Sequence, residues 1–100
     1  MHETTGFQRD ILFTVAGLDD PNGQEILSEL REDGIEARQG RLYTNLDDLV
    51  DMELVEKDRQ DGRSNQYDLT TAGWEVIQRR HRWEQRRLNG IGNSVRECST

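Results

Sequence analysis

Three polar side chains at helical spacing carry the clearest chemistry in this sequence of 100 residues. Arg41, Thr44 and Asn45 stand at i, i+3 and i+4, so they share one face of a helix that begins near Gln39. Arginine suits guanine O6 and N7, asparagine suits adenine N6 and N7, and all three can donate to phosphate oxygens. Any one of them alone could be a solvated surface residue. Their shared face, with Gln39 at its start, predicts a surface that contacts nucleic acid.

The same stretch also has an apolar side that would hold the helix on a core. Leu42, Leu46, Leu49 and Val50 stand at i, i+4, i+7 and i+8, which is one stripe of an α-helix. Tyr43, beside this stripe, is expected to pack its ring against the domain and to donate its hydroxyl to a phosphate. The pattern predicts an amphipathic recognition helix.

A charged hairpin is predicted directly after this helix. Asp61-Gly62 separates two short, partly alternating segments, and glycine supplies the positive φ that a tight hairpin turn needs. Basic and polar side chains on such a hairpin would grip the DNA backbone or enter the minor groove. The residues expected to do so are Lys57, Arg59, Arg63, Ser64 and Asn65.

The stretch GRLYTNLDDLVDMELVEKDRQDGRSNQYDLTTAGWEVI resembles the core of the PadR-like winged-helix transcriptional regulators. The matching positions are Gly40, Leu42, Tyr43, Leu46, Leu49, Leu54, Val55, Tyr67, Leu69, Thr70 and Gly73. Glu53 departs from the pattern, because glycine usually precedes the Leu-Val step, and Thr44-Asn45 replaces a common pair that contains proline. The resemblance implies an α+β winged helix-turn-helix with a three-helix core, a β-hairpin wing and a long C-terminal dimerisation helix.

The charge balance runs against DNA binding at first sight. The chain has 20 acidic and 13 basic residues, and Lys57 is the single lysine. The net charge is −6 over residues 1–34, −4 over 35–71 and +3 over 72–100. An excess of acidic residues together with a preference for arginine over lysine is typical of proteins from halophilic archaea. The alternative is an ordinary acidic mesophilic protein. Three acids of the recognition helix, Asp47, Asp48 and Asp51, are expected to point away from the groove or, at Asp48, to limit how deeply the helix enters.

Two helices are predicted before the recognition helix. Thr5 is a suitable N-cap for the first, whose apolar positions include Phe7 and Ile11. Asp20 before Pro21 suits a cap and a first helical position for the second. That helix should end at Asp33-Gly34, where glycine can take the left-handed conformation. The short segment 35–38 is expected to pair with the wing as a third strand.

The last helix is predicted from a cap at Thr70 or Thr71 to about Leu88, and it is too long for so small a domain to cover. We therefore expect it to pack on its counterpart in a homodimer, together with part of the first helix; the alternative is a helix that folds back on its own domain. The expected interface residues are Phe7, Leu12, Trp74, Ile77, His81, Trp83 and Leu88. Residues 1–88 would form one DNA-binding and dimerisation domain, and 89–100 a flexible tail.

Several other classes of protein are disfavoured. A single cysteine, Cys98, excludes an internal disulfide, and no apolar run approaches a membrane span or a signal peptide, so we expect a cytoplasmic protein. No HExxH, CxxC or phosphate-binding glycine loop is present, which argues against an enzyme, a metal site or a cofactor. The expected function is a regulator that binds a pseudo-palindromic site on double-stranded DNA. One alternative is a ligand- or stress-sensing regulator whose aromatic effector enters the dimer interface and stacks on Trp74 and Trp83. The other is a winged-helix module that binds other proteins and not DNA.

Overall fold

A computed structural model describes the backbone of residues 4–59 and 65–99 and the side chains of residues 4–58 and 65–90. Three helices come first, α1 (Gly6–Gly17), α2 (Gly23–Glu32) and α3 (Gln39–Asp51). A hairpin of β1 (Val55–Arg59) and β2 (Asn65–Leu69) follows, and α4 (Thr71–Ser99) completes the chain. The predicted α+β winged helix-turn-helix is confirmed.

The ends of the first two helices follow from local capping. Thr5 and Gln8 form a capping box at the start of α1, as the N-cap prediction for Thr5 required. At the end of α2, Gly34 has a φ of 80°. The Ile35 amide donates to the Leu30 carbonyl at 2.9 Å and the Gly34 amide to the Arg31 carbonyl at 3.0 Å. These are the two bonds of a Schellman motif, and they confirm the predicted helix end.

The predicted start of α2 was wrong by two residues. Asn22, not Asp20, is the N-cap, and it forms a capping box with Glu25. Asp20 instead takes a positive φ of 44°. Pro21 lies before the helix because its carbonyl accepts a hydrogen bond from the Tyr67 amide of the wing at 2.9 Å. The chain around Pro21 is therefore held by the wing.

The third strand predicted over 35–38 is not formed among the described residues. The sheet contains β1 and β2 only, and an isolated bridge joins β2 at Gln66 to Asn22 instead. The Arg31 side chain donates twice to the Ala37 carbonyl, from Nε and Nη2 at 3.1 Å each. A side chain thus takes the acceptor that a strand partner would have used.

The antiparallel wing pairs Val55 with Leu69 at its base and Arg59 with Asn65 at its outer end. This pairing confirms the hairpin, whereas the predicted turn at Asp61-Gly62 lies outside the described residues. The base of the wing closes a core shared with the first three helices and the start of α4. Its fully buried side chains include Ile11, Leu12, Leu42 and Tyr67.

The beginning of α4 is confirmed and its end is not. Thr70 caps the helix, since its Oγ1 accepts from the Gly73 amide at 3.0 Å. The helix then continues to Ser99, past Leu88, where it was predicted to end, and through Gly90 in the segment expected to be a flexible tail. Glycine lowers the stability of a helix but can be part of one, so Gly90 does not end α4.

Glu53 occupies a left-handed position at the end of α3. Its φ is 61°, and the Glu53 and Leu54 amides donate to the Val50 and Leu49 carbonyls at 2.9 and 3.0 Å, which is again a Schellman motif. This explains why glycine usually stands here in the family that the sequence resembles.

We predict that Glu53→Gly stabilises the fold by about 1 kcal/mol, because a side chain in the left-handed region costs about 1 to 2 kcal/mol and the added flexibility of the unfolded chain offsets part of the gain. Urea denaturation measures the change. Glu53→Ala retains the strain and is the control. Equal stability of the two variants would contradict the explanation.

Candidate nucleic-acid interface

The helix-turn-helix formed by α2 and α3 exposes the first half of α3. The apolar stripe predicted for this helix is buried at Leu42, Leu46 and Leu49 and partly buried at Val50. Gln39, Arg41 and Thr44 are exposed. The face predicted to contact nucleic acid is therefore available at these three positions.

Arg41 is held by an aromatic ring of α1. Its guanidinium lies over the Phe7 ring, 3.9 Å from the ring centre. A cation–π contact of this kind uses the flat face of the guanidinium, while the N–H donors point outward in its plane. Arg41 is thus oriented by the stacking and keeps the donors that a guanine or a phosphate would accept.

Thr44 and Asn45 are less free than their sequence positions suggested. The Thr44 hydroxyl donates to the Gly40 carbonyl at 2.9 Å, so it offers DNA an acceptor oxygen and a methyl group. Asn45 is half-buried and faces α1. Its Oδ1 accepts from Gln8 Nε2 at 3.2 Å, and its Nδ2 donates to the Arg41 carbonyl at 2.8 Å. The expectation that Asn45 stands opposite the core was wrong.

Tyr43 packs as predicted. It is half-buried against the core, and its ring and hydroxyl lie so close to Gly23 that a side chain there would collide with them. The hydroxyl consequently lies at the first residue of α2, where helix amides favour an anion. This placement suits the predicted contact with a phosphate.

One acid of α3 lies beside the wing, and two others are exposed on the helix surface. Asp47 is directed toward the wing, where its Oδ1 lies 3.9 Å from Lys57 Nζ. Asp48 is exposed and follows Thr44 by four residues, so it shares the face of Thr44. Asp51 is exposed as well. Asp48 is therefore the acid that would limit how deeply α3 enters a groove.

The wing residues predicted to contact DNA are described in part. Lys57 is exposed and holds Asp47. Arg59 ends β1, and its side chain, like Arg63 and Ser64, lies outside the described residues. Asn65 is half-buried at the start of β2, near the Tyr67 side chain. Lys57 is thus the described wing side chain that is best placed for a backbone contact.

Tyr67 joins the wing to α3. Its side chain is almost wholly buried. Burial raises the pKa of the Tyr67 hydroxyl, nearby Tyr43 and Asp47 raise it further, and the hydrogen bond with Asn65 lowers it. The hydroxyl of Tyr67 therefore stays protonated.

Two residues of this surface were missed from the sequence. Arg38 is exposed at the N-cap position of α3, next to the predicted Gln39. Its position just before the recognition helix was a usable signal. Gln8 contacts Asn45 across 37 positions of sequence, and no local pattern indicates such a contact.

The face predicted for dimerisation is only partly exposed in the single chain. Phe7, Leu12 and Ile77 are buried in the core of the single chain, so they offer little surface to a second chain. Trp74 is 42% exposed, Trp83 38% and Leu88 57%, and His81 is also exposed. The Trp83 ring is flanked by Arg80 and Arg87, at 4.3 and 5.3 Å from the ring centre.

A groove between α1 and α4 joins the exposed part of this face. It has a volume of about 570 Å³. Its lining residues are Phe13, Ala16, Gly17, Trp74, Ile77, Gln78, His81 and Arg82. Phe13, which is 37% exposed, was not predicted as an interface residue. It follows Phe7 and Leu12 on α1 but lies on the side of that helix that turns away from the core.

A helix-turn-helix followed by a β-hairpin defines a protein of the winged-helix class. Residues 11–79 match the transcriptional regulator PadR-like family. The chain belongs to this family, and it is therefore a DNA-binding transcriptional regulator and not an enzyme. No match was found among curated protein sequences. Among the described residues, none of the helices is long and apolar enough to cross a membrane.

Solved structures agree with this assignment. The chain is 33% identical to RosR of H. salinarum, in crystals grown from NaBr, with a TM-score of 0.76 over 97% of each chain. A complex of RosR, RosR-SG, matches with a TM-score of 0.80 over 98% of this chain and 94% of that one. Streptococcus pneumoniae FabT, in complex with DNA, is 15% identical, with a TM-score of 0.76 over 91% of this chain and 62% of that one. This last likeness concerns the fold alone.

Proposed function

We propose that the protein is a homodimeric regulator that recognises a pseudo-palindromic duplex with α3 and works at high salt. The orientation of Arg41 on the Phe7 ring, beside an exposed helix start and a wing, is the observation that carries the proposal. Base edges in the major groove are read by donors held in this way, and phosphates are contacted around them. Such a regulator would act in the cytoplasm.

The groove between α1 and α4 supports the dimer. The large apolar side chains of Phe13 and Trp74 are partly exposed to water, and a second copy of the chain would cover them. In a two-fold dimer both copies of α3 would enter successive major grooves about 34 Å apart, which requires a pseudo-palindromic site.

A dimer through this groove should dissociate in the variant Trp74→Glu, because an unpaired carboxylate in an apolar contact costs several kcal/mol. Sedimentation velocity in KCl measures the mass: wild type should sediment as two chains and the variant as one. Glu75→Lys, at an exposed neighbour off the groove, is the control and should stay dimeric. A wild-type protein that sediments as one chain would contradict the dimer.

The second candidate function is a sensor whose ligand enters the dimer interface at this groove. About 570 Å³ lies within the range of small-molecule sites, and Phe13 and Trp74 could stack on a flat aromatic compound. Binding of such a compound, measured by equilibrium dialysis and lost in Trp74→Glu, would support that function.

High salt is supported by the acids beside the reading surface. Asp48 and Asp51 are exposed on α3. Asp47 lies beside Lys57, so it would compete with a phosphate for the Lys57 ammonium. At low salt these carboxylates would repel DNA, whereas at 1 M the Debye length is about 3 Å and the repulsion is screened. Cations taken up between these acids and the phosphates would offset the cations that basic residues release.

Fluorescence anisotropy tests the function and the salt dependence together. The wild-type protein is titrated onto a duplex from upstream of its own gene and onto a scrambled duplex, from about 0.1 M to about 3 M KCl. We expect preference for the upstream duplex that survives high salt. A steep loss of affinity with salt, as for a basic protein, would reject cation uptake. If neither that duplex nor any selected from a random library is preferred, the protein-interaction module becomes the better description.

A further inference from the structure

We propose that Gln8 of α1 is a positioning residue for DNA recognition, which holds the Asn45 amide so that Asn45 presents a hydrogen-bond donor to a base. This inference rests on the proposed role of α3 as the helix that reads DNA. It assigns to the first turn of α1 a part in sequence preference, although that turn carries none of the residues proposed to read bases.

The orientation of the Gln8 amide is set by the backbone. Its Oε1 accepts from the Thr5 amide at 3.1 Å, which only an oxygen can do, so Nε2 must be the atom that faces α3. Gln8 is 7% exposed, which leaves its side chain little room for another conformation. The capping box of α1 thus determines which end of the amide reaches Asn45.

The orientation of Asn45 follows from that of Gln8. Because Gln8 Nε2 donates to Asn45 Oδ1 at 3.2 Å, the oxygen of Asn45 is turned toward α1. Asn45 Nδ2 uses one hydrogen on the Arg41 carbonyl at 2.8 Å and keeps the other. Both amides are therefore ordered in one direction, with Asn45 Oδ1 turned toward α1, and the remaining N–H of Nδ2 is the group that would face DNA.

A single donor has a defined preference among bases. It suits guanine O6 and N7, adenine N7 and thymine O4, and it is unsuited to the amino group of cytosine. The two-bond contact of asparagine with adenine also needs a carbonyl oxygen beside the donor. Because its bond with Gln8 turns that oxygen toward α1, we expect Asn45 to lack the adenine preference of its residue type.

The neighbouring contact strengthens the same coupling. Phe7, which precedes Gln8, carries the Arg41 guanidinium on its ring, and Arg41 supplies the carbonyl that Asn45 holds. Two adjacent residues of α1 therefore orient two side chains of α3. A shift of this turn relative to α3 would change both contacts together.

The variant Gln8→Glu separates the coupling from the cap. A glutamate oxygen can still accept from the Thr5 amide, but the donor to Asn45 is replaced by a second acceptor. Asn45 then gains a bond only by turning its Nδ2 toward residue 8, which breaks its bond to the Arg41 carbonyl and exposes its oxygen. Thr5→Ala is the matched control, since it removes the Thr5 hydroxyl that accepts from the Gln8 amide at 3.1 Å and leaves the bond between Gln8 and Asn45 in place.

The measurement compares two affinities. The first is for the duplex that the wild-type protein selects from a random-sequence library, the second is for a scrambled duplex, and the readout is the ratio of the first to the second. Non-specific repulsion by the new charge cancels in this ratio. Gln8→Glu should lower the ratio by at least about fivefold and change the base selected at one position of each half-site, whereas Thr5→Ala should lower only the thermal midpoint. In an Asn45→Ala background, Gln8→Glu should leave the ratio unchanged.

Two results would overturn the proposal while the proposed function stands. The first is an affinity ratio in Gln8→Glu that equals that of the wild type. The second is an equal loss of the affinity ratio in the wild-type and Asn45→Ala backgrounds, since Gln8 would then act without Asn45. A wild-type protein that selects no sequence would overturn the reading role of α3 itself, and with it this inference.

Discussion

The Gly73→Ala variant should lose about 3 kcal/mol of folding stability, because the first turn of α4 lies directly against the base of the wing. A Cβ at Gly73 would collide with the Leu54 carbonyl oxygen and lie 3.5 Å from Leu69 Cβ. That carbonyl already accepts from the Thr70 amide at 3.1 Å, and the Thr70 hydroxyl donates to the Glu53 carbonyl at 2.7 Å. The collision is with backbone, so α4 would have to move and break these bonds.

Urea denaturation of Gly73→Ala at one fixed protein concentration measures this loss, and Gly90→Ala is the control. Gly90 also lies in α4, but outside the backbone of that helix no atom of the described residues lies within 4 Å of the position of its Cβ. Alanine there should leave stability unchanged or raise it by up to about 1 kcal/mol. Equal effects at the two glycines would show that helix propensity, and not contact with Leu54, governs Gly73.

The Arg41→Ala variant should lose about 1 to 3 kcal/mol of binding free energy on the preferred duplex and little on a scrambled one. The reason is that the guanidinium stacked on Phe7 directs its donors outward in one plane, which matches two acceptors of a guanine. Arg41→Lys keeps the charge without the planar fork, so it should retain scrambled binding and lose the preference.

Lys57→Ala is the comparison variant for Arg41. A flexible ammonium on the wing would contact phosphates, so its removal should weaken binding to both duplexes alike. The same is expected of Arg63→Ala, from its position in the sequence. If Arg41→Ala weakened both duplexes equally, Arg41 would be a phosphate contact and base recognition would have to lie elsewhere on α3.

Local sequence patterns predicted much of the fold. The stripe of Leu42, Leu46 and Leu49 marked the buried side of α3, and Thr5 and Gly34 marked helix ends, because each pattern acts through residues within one or two turns. Asn22 and Glu25 form a capping box of the same kind. The Asp20-Pro21 pair is an equally local signal for a helix start, but the contact that keeps Pro21 outside α2 comes from the distant wing.

The sequence by itself determined the class of this protein, through an amphipathic helix, a charged hairpin and a Thr-x-x-Gly start to the last helix that together resemble the PadR-like pattern. Only the tertiary structure decided which side chains of that helix are free to read DNA. Phe7 contacts the Arg41 guanidinium, Gln8 donates to Asn45, and Lys57 lies 3.9 Å from Asp47. Each pair joins different elements, and the direction of an amide or a guanidinium depends on the partner that packing brings to it.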